Sequence, residues 1–129
     1  MSLWYIDTSA AFKILVDEPE SEALVRAIKA EGPELASSLL LETELRRAVQ
    51  RTVGLTHDAA SQLLDGIVLF QNPKGLFREA GYLPGPTLRS LDALHIAAAL
   101  RIDADRLVTY DQRMASAARE LGLTVFSPQ

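Results

Sequence analysis

Cysteine is absent from the 129 residues, so disulfides and thiolate metal sites are excluded, and a reducing compartment suits the chain. No apolar run approaches the ~18 residues that a membrane span requires. The N-terminus carries no basic stretch ahead of an apolar core, and Asp7 and Lys13 interrupt its only hydrophobic segment, so no leader is expected. Internal repeats, low-complexity tracts and linkers are missing too. These absences predict a cytoplasmic protein, one domain over residues 1–129, with no membrane association.

An excess of positive charge is also lacking. The formal charge is −4, the wrong sign for simple adhesion to nucleic-acid phosphates. That objection weakens if acids hold metal, because two divalent ions would bring the total to zero (−4 + 4) and one would leave −2. The cations are grouped as well. Arg46, Arg47 and Arg51 share one helical stretch, while Lys74, Arg78 and Arg89 fall in the following half. A basic rim around an acidic centre is one reading; solvated Arg on helix faces is the other.

What is present is a globular composition, 48% hydrophobic and 23% charged, with short strand-like runs alternating with helical ones. The alternation predicts an α/β domain with a mostly parallel sheet of about five strands. The strand candidates are Leu3–Ile6, Leu35–Ser37, Ile67–Phe70, Arg106–Thr109 and Thr124–Phe126. Helical patterns cover Ser9–Leu15, Ser21–Lys29, Leu40–Val53, Asp58–Leu64, Leu76–Gly81, Leu91–Leu100 and Gln112–Leu121. Ser38, Thr56 and Ser90 are placed to cap the third, fourth and sixth helices. Gly54, Gly81 and Gly122 follow apparent helix ends, where a left-handed residue is expected.

Four acids stand where an oxygen-only metal site would need them. Asp7 closes the apolar run Leu3-Trp4-Tyr5-Ile6, and Asp111 follows Val108-Thr109-Tyr110. Both therefore fall at strand ends, where open α/β sheets place their ligand sites. Asp92 opens a nearly all-apolar helix, and Glu44 lies within the third helix. Each has a local explanation: Asp7 and Asp111 as helix caps, Asp92 as a first-turn acid favoured by the helix dipole. Repetition shifts the balance toward function. Like charges about 4 Å apart repel by roughly 4 kcal/mol at an effective dielectric of 20, so a cluster is tolerable mainly when it binds cations or holds protons.

Glu44 competes with Glu42, since both flank the apolar face of Leu41, Leu45, Ala48 and Val49 at similar angles. Each also has an ion-pair alternative, Arg46 for Glu42 and Arg47 for Glu44. Periodicity leaves the choice open. His95, three residues after Asp92, reads first as a packed, hydrogen-bonded core residue, because no second His or Cys completes a transition-metal site. Thr8, Ser9 and Thr109 could orient a carboxylate or a phosphate, with local capping as the plainer role.

Other Asp chemistries fit less well. A haloacid-dehalogenase phosphatase wants a second Asp at position 9, which is Ser, and a receiver domain wants a late Lys, whereas none follows Arg89. No G-x-G-x-x-G follows the first strand. The stretches Tyr5-Ile6-Asp7-Thr8-Ser9-Ala10, Thr43-Glu44-Leu45-Arg46-Arg47-Ala48, Leu91-Asp92-Ala93-Leu94-His95 and Val108-Thr109-Tyr110-Asp111 together resemble the PIN domain, and most closely the VapC-type toxins of bacterial toxin–antitoxin pairs. The likeness spans essentially the whole chain in the right order.

That resemblance implies a three-layer α/β/α fold and an active site at Asp7, Glu44, Asp92 and Asp111, which selects Glu44 over Glu42. It further implies an endoribonuclease dependent on Mg²⁺ or Mn²⁺, inhibited by a cognate antitoxin and dimeric. The expected reaction is metal-assisted hydrolysis of an RNA phosphodiester. Asp7, Asp92 and Asp111 would hold the ion, Glu44 would complete the site, and Asp111 or Glu44 would orient the attacking water. Arg46, Arg47 and Arg89 are candidate phosphate contacts. A noncatalytic PIN-like interaction module is the competing expectation.

Overall fold

The computed structural model describes residues 1–129. Strand β1 (Leu3–Ile6) leads into α1 (Thr8–Leu15) and α2 (Ser21–Glu31), then β2 (Glu34–Ser38) into α3 (Leu40–Gln50) and α4 (His57–Asp65). Next come β3 (Val68–Phe70), α5 (Lys74–Tyr82), α6 (Ser90–Arg101), β4 (Arg106–Val108), α7 (Gln112–Glu120) and β5 (Val125–Phe126). All neighbouring strands pair in parallel, in the order β3-β2-β1-β4-β5.

Period-two alternation in the central strand explains the three layers. Trp4 and Ile6 of β1 and Val108 of β4 face one core, filled by Ala10 and Ala11 of α1, Leu24 of α2, Leu41, Leu45 and Val49 of α3, and Leu64 of α4. Tyr5 and Leu107 face the opposite core, filled by Leu76 of α5, Ile96 and Ala97 of α6, and Met114 and Ala118 of α7. Residues Ala93 to Ala99 of α6 are buried without interruption, as expected for a helix apolar on most sides.

Several local expectations are met and others corrected. Thr56 Oγ1 accepts the Ala59 N–H at the start of α4, and Gly54 and Gly122 adopt left-handed φ values of 92° and 86°. Ser38 stands one residue ahead of the cap position, which Leu39 fills without a side-chain bond, although Ser38 Oγ accepts the Leu40 N–H at 3.0 Å. Ser90 is the first residue of α6 rather than its cap; Arg89 occupies that position without a side-chain bond. Gly81 does not end a helix. It lies inside α5, which stops where Leu83 turns extended ahead of Pro84, because a residue before proline is driven out of the helical region. Helix α3 stops at Gln50, short of the expected Val53.

Candidate active site at the sheet's carboxyl edge

The chain leaves β1 toward β2 and β3 on one side and returns for β4 and β5 on the other. Connections from β1 and β4 therefore diverge, opening a crevice beyond their carboxyl ends. Asp7 is the first residue after β1, Thr109 the first after β4, and Asp111 caps α7.

Asp7 is 2% exposed and its carboxylate is fully engaged. Oδ1 accepts from Ser9 Oγ at 2.7 Å and from the Ala10 N–H at 2.9 Å, and Oδ2 accepts from Thr109 Oγ1 at 2.5 Å. Burial drives its pKa up, and those bonds, led by Thr109, pull the other way. Asp7 thus caps α1 and also stands at the crevice. The two roles coexist.

Two hydroxyls join the strand ends. Thr109 Oγ1 donates to Asp7 while accepting the Asp111 N–H at 3.1 Å. Ser9 Oγ donates to Asp7 while accepting the Tyr110 N–H at 2.9 Å. Asp111 spends Oδ1 on the N–H groups of Arg113 and Met114, at 3.0 and 3.1 Å. Asp92, half-buried in the first turn of α6, has its pKa raised by burial and then by the charge of Asp111, with His95 and Arg89 opposing. These two carboxylates feel each other across the mouth of the crevice.

Tertiary placement separates the two glutamates. Glu42 pairs with Arg46 Nε at 2.6 Å, whereas Glu44 Oε1 lies 2.5 Å from His95 Nε2. No ion pair joins Glu44 to Arg47; the one basic side chain against Glu44 is His95. Glu44 lines a groove of ≈ 450 Å³ with Thr8, Leu40, Thr43, Arg47, Arg51 and Leu91. A larger depression of ≈ 780 Å³ between α1 and α2 contains none of the four acids.

Among the candidate phosphate contacts, Arg46 is committed to Glu42, the His57 carbonyl and Ser61 Oγ, so it ties α4 to α3. Arg47 is exposed in the groove, and Arg89 lies near Asp92. Ser9 and Thr109 orient Asp7, while Thr8 Oγ1 is buried without a hydrogen-bond partner beside Glu44. Arg51 was not among the expected contacts, yet it lines this groove and the adjoining one with Thr8 and Ser9. Its spacing of seven from Glu44 is the signal that could have found it.

No three of the His, Asp and Glu side chains lie close enough together to enclose one ion. The acids converge on one edge without forming a closed cage. Their chemistry still fits a hard divalent cation: all donors are carboxylate oxygens, and the Asp92–Asp111 repulsion is what such a charge would relieve.

A parallel α/β/α sandwich with acids gathered at its switch crevice defines a class of acid-site proteins. Within it the chain belongs to the PIN domain family, whose profile matches residues 4–120. It is 39% identical over 130 residues to ribonuclease VapC46 of Mycobacterium tuberculosis, covering 99% of each chain. Ribonuclease VapC47 of the same species is 40% identical over 131 residues, covering 96% of each. The fold is similar to that of VapBC2 from Rickettsia felis bound to a promoter DNA fragment, with a TM-score of 0.75, 17% identity and coverage of 98% and 99%. It also resembles Mycobacterium tuberculosis VapC20, described as a sarcin-ricin loop cleaving toxin, with a TM-score of 0.71, 17% identity and coverage of 88% and 94%.

Proposed function

We propose that this chain is a VapC-like toxin endoribonuclease that hydrolyses RNA phosphodiester bonds in the crevice at the carboxyl ends of β1 and β4. The observation that supports the reading is the link between strand ends: Thr109 Oγ1 bonds both Asp7 and the Asp111 N–H, Asp92 feels the charge of Asp111, and Glu44 is held by His95 of the same helix as Asp92. Relatives named ribonucleases at 39% and 40% identity, aligned over nearly the full length, support it.

Asp7, Asp92 and Asp111 would hold Mg²⁺ or Mn²⁺, with Glu44 completing the site. Such an ion, when bound, lowers the pKa of a coordinated water and polarises the phosphoryl oxygen. Asp7 is oriented for its part by Ser9, Ala10 and Thr109. Glu44 or Asp111 orients the attacking water as a general base. Arg47, Arg51 and Arg89 meet the phosphates flanking the cut. In-line attack by water leaves a 5′-phosphate and a 3′-hydroxyl, so the RNA 2′-hydroxyl is not needed chemically and preference for RNA rests on shape and groove contacts. A cognate antitoxin, a homodimer and a cytoplasmic setting complete this reading. The structurally similar VapBC2 and FitAB were both seen bound to DNA fragments.

The competing reading, a noncatalytic interaction module, is favoured by the lack of a closed acid cage. Incubation with structured RNA, with and without EDTA, separates the two. Wild-type protein should cut only with the divalent ion present, and Asp7→Asn should fold without cutting. Cleavage that persists in EDTA, or an active Asp7→Asn protein, would remove the metal-carboxylate mechanism.

A further inference from the structure

His95 has no part in the reaction described above, yet its ring is the only hydrogen-bond partner of the Glu44 carboxylate. It is 1% exposed on α6, and both ring nitrogens are engaged. Nδ1 lies 2.6 Å from Tyr5 Oη, and Nε2 lies 2.5 Å from Glu44 Oε1. Tyr5, on the central strand, is held from its far side, where its Oη accepts the Ser38 backbone N–H at 3.1 Å.

Counting protons gives the contacts a direction. The Ser38 N–H can only donate. That leaves the single phenolic hydrogen of Tyr5 available to His95 Nδ1, and we assign it there. Burial, the largest influence on Tyr5, raises its pKa far above the ordinary value, so the phenol keeps that hydrogen. The imidazole then carries its own hydrogen on Nε2 and donates it to Glu44.

We propose that His95, braced by Tyr5 and the Ser38 backbone, is a positioning residue for Glu44, and this rests on the phosphodiester hydrolysis assigned above. The Glu44 side chain is 23% exposed and sits on a groove wall beside Arg47 and Arg51. Left alone, its three torsions would let it turn toward either cation. A donor fixed on Oε1 selects one orientation and leaves Oε2 for the groove. The brace crosses the layers: Tyr5 and α6 belong to one core, while α3, which carries Glu44, packs into the other. A merely structural histidine would need only satisfied nitrogens. This one spends a nitrogen on a partly exposed carboxylate of the site.

The test compares full-length wild type with His95→Leu, His95→Gln, Tyr5→Phe, Glu44→Gln, the His95→Leu/Glu44→Gln double variant and Asp92→Asn, by RNA-cleavage kinetics and thermal melting. His95→Leu should lower kcat by about 10–100-fold with little change in KM, as expected when a group orienting a site carboxylate is lost. His95→Gln, whose amide N–H reaches toward the Nε2 position, should recover part of that rate. In the double variant, His95→Leu should cost less than about twofold beyond Glu44→Gln alone, because it acts through Glu44. Independently of activity, long-range ¹H–¹⁵N spectra should show the His95 hydrogen on Nε2 in wild type and a tautomer mixture in Tyr5→Phe. If His95→Leu does not fold, His95→Gln, Tyr5→Phe and the spectra carry the test. A His95→Leu protein that cuts like wild type, multiplicative losses in the double variant, or an Nδ1–H tautomer overturns the proposal. Asp92→Asn cutting at the wild-type rate would instead overturn the nuclease reading on which it rests.

Discussion

Replacing Thr109 with Val removes one hydroxyl and almost nothing else, since the two side chains share a shape. Thr109 is fully buried, and that hydroxyl makes two short bonds besides a longer 3.4 Å contact with Ser9 Oγ. The first, to Asp7 Oδ2 at 2.5 Å, is the only donor on that oxygen. A hydrogen bond to a charged group contributes about 1.5–3 kcal/mol. The second accepts the part-buried Asp111 N–H at 3.1 Å and contributes about 0.5–1.5 kcal/mol, some of which water can replace. The expected loss is about 2–4 kcal/mol at neutral pH, or a fall of about 6–15 °C in Tm for a chain of this size.

The loss should also depend on pH. Burial already raises the Asp7 pKa in the fold, and Thr109 is the strongest influence holding it down. Without Thr109 the folded-state pKa climbs further. A carboxyl with a raised folded pKa lends its stability fully below its unfolded value of about 3.9 and loses it as pH rises through the folded one. Thr109→Val extends that decline to higher pH, so the gap between variant and wild type should widen as pH rises from acid past the wild-type folded-state value. Urea titrations followed by circular dichroism across that range measure it. A gap below about 1 kcal/mol at neutral pH, or one constant with pH, would refute the coupling of Thr109 to Asp7.

Other expectations follow from the same contacts. Leu45, fully buried in the α1–α3 core, should cost about 2–5 kcal/mol on replacement with Ala, read from the urea midpoint. Arg46→Ala should destabilise by about 1–2 kcal/mol with unchanged cleavage, because its bonds tie α4 to α3. Arg47→Ala and Arg51→Ala should do the reverse, raising KM while changing stability by less than about 0.5 kcal/mol; the opposite pattern would reassign the groove. Burial and then Asp111 raise the Asp92 pKa, so metal-free protein should lose stability as pH rises through that value. Asp92→Asn should abolish that loss and also the stabilisation by Mg²⁺, which in wild type should reach about 2.7 kcal/mol at about a hundredfold excess over Kd. A wild-type protein indifferent to Mg²⁺ would contradict the cation site.

Much of the fold is legible residue by residue because its causes are local. Alternation in Trp4-Tyr5-Ile6 sets β1 between two cores, and Leu41, Leu45 and Val49 recur at helical spacing to bury one face of α3. Thr56 caps α4 with its own side chain, so that helix forms where expected. Gly81 does not mark the end of α5, because that end is set from three positions further on, by Pro84 acting on Leu83. The strand-end acids were visible because a strand's carboxyl end can be recognised from the run before it.

Sequence alone determined the alternating α/β plan, the oxygen-only donor set, and the positions of Asp7, Asp92 and Asp111 at the starts of helices. It could do so because periodicity, capping and the lack of cysteine act over a few residues or over bulk composition. Only tertiary structure chose Glu44 rather than Glu42 to meet His95, tied Arg46 into α4, and left Arg47 and Arg51 facing the groove. Those outcomes depend on where α6 and α4 lie relative to α3, at separations of 51 and 15 residues for the bonds concerned. Helical spacing carries no information about which neighbour will stand opposite a given side chain.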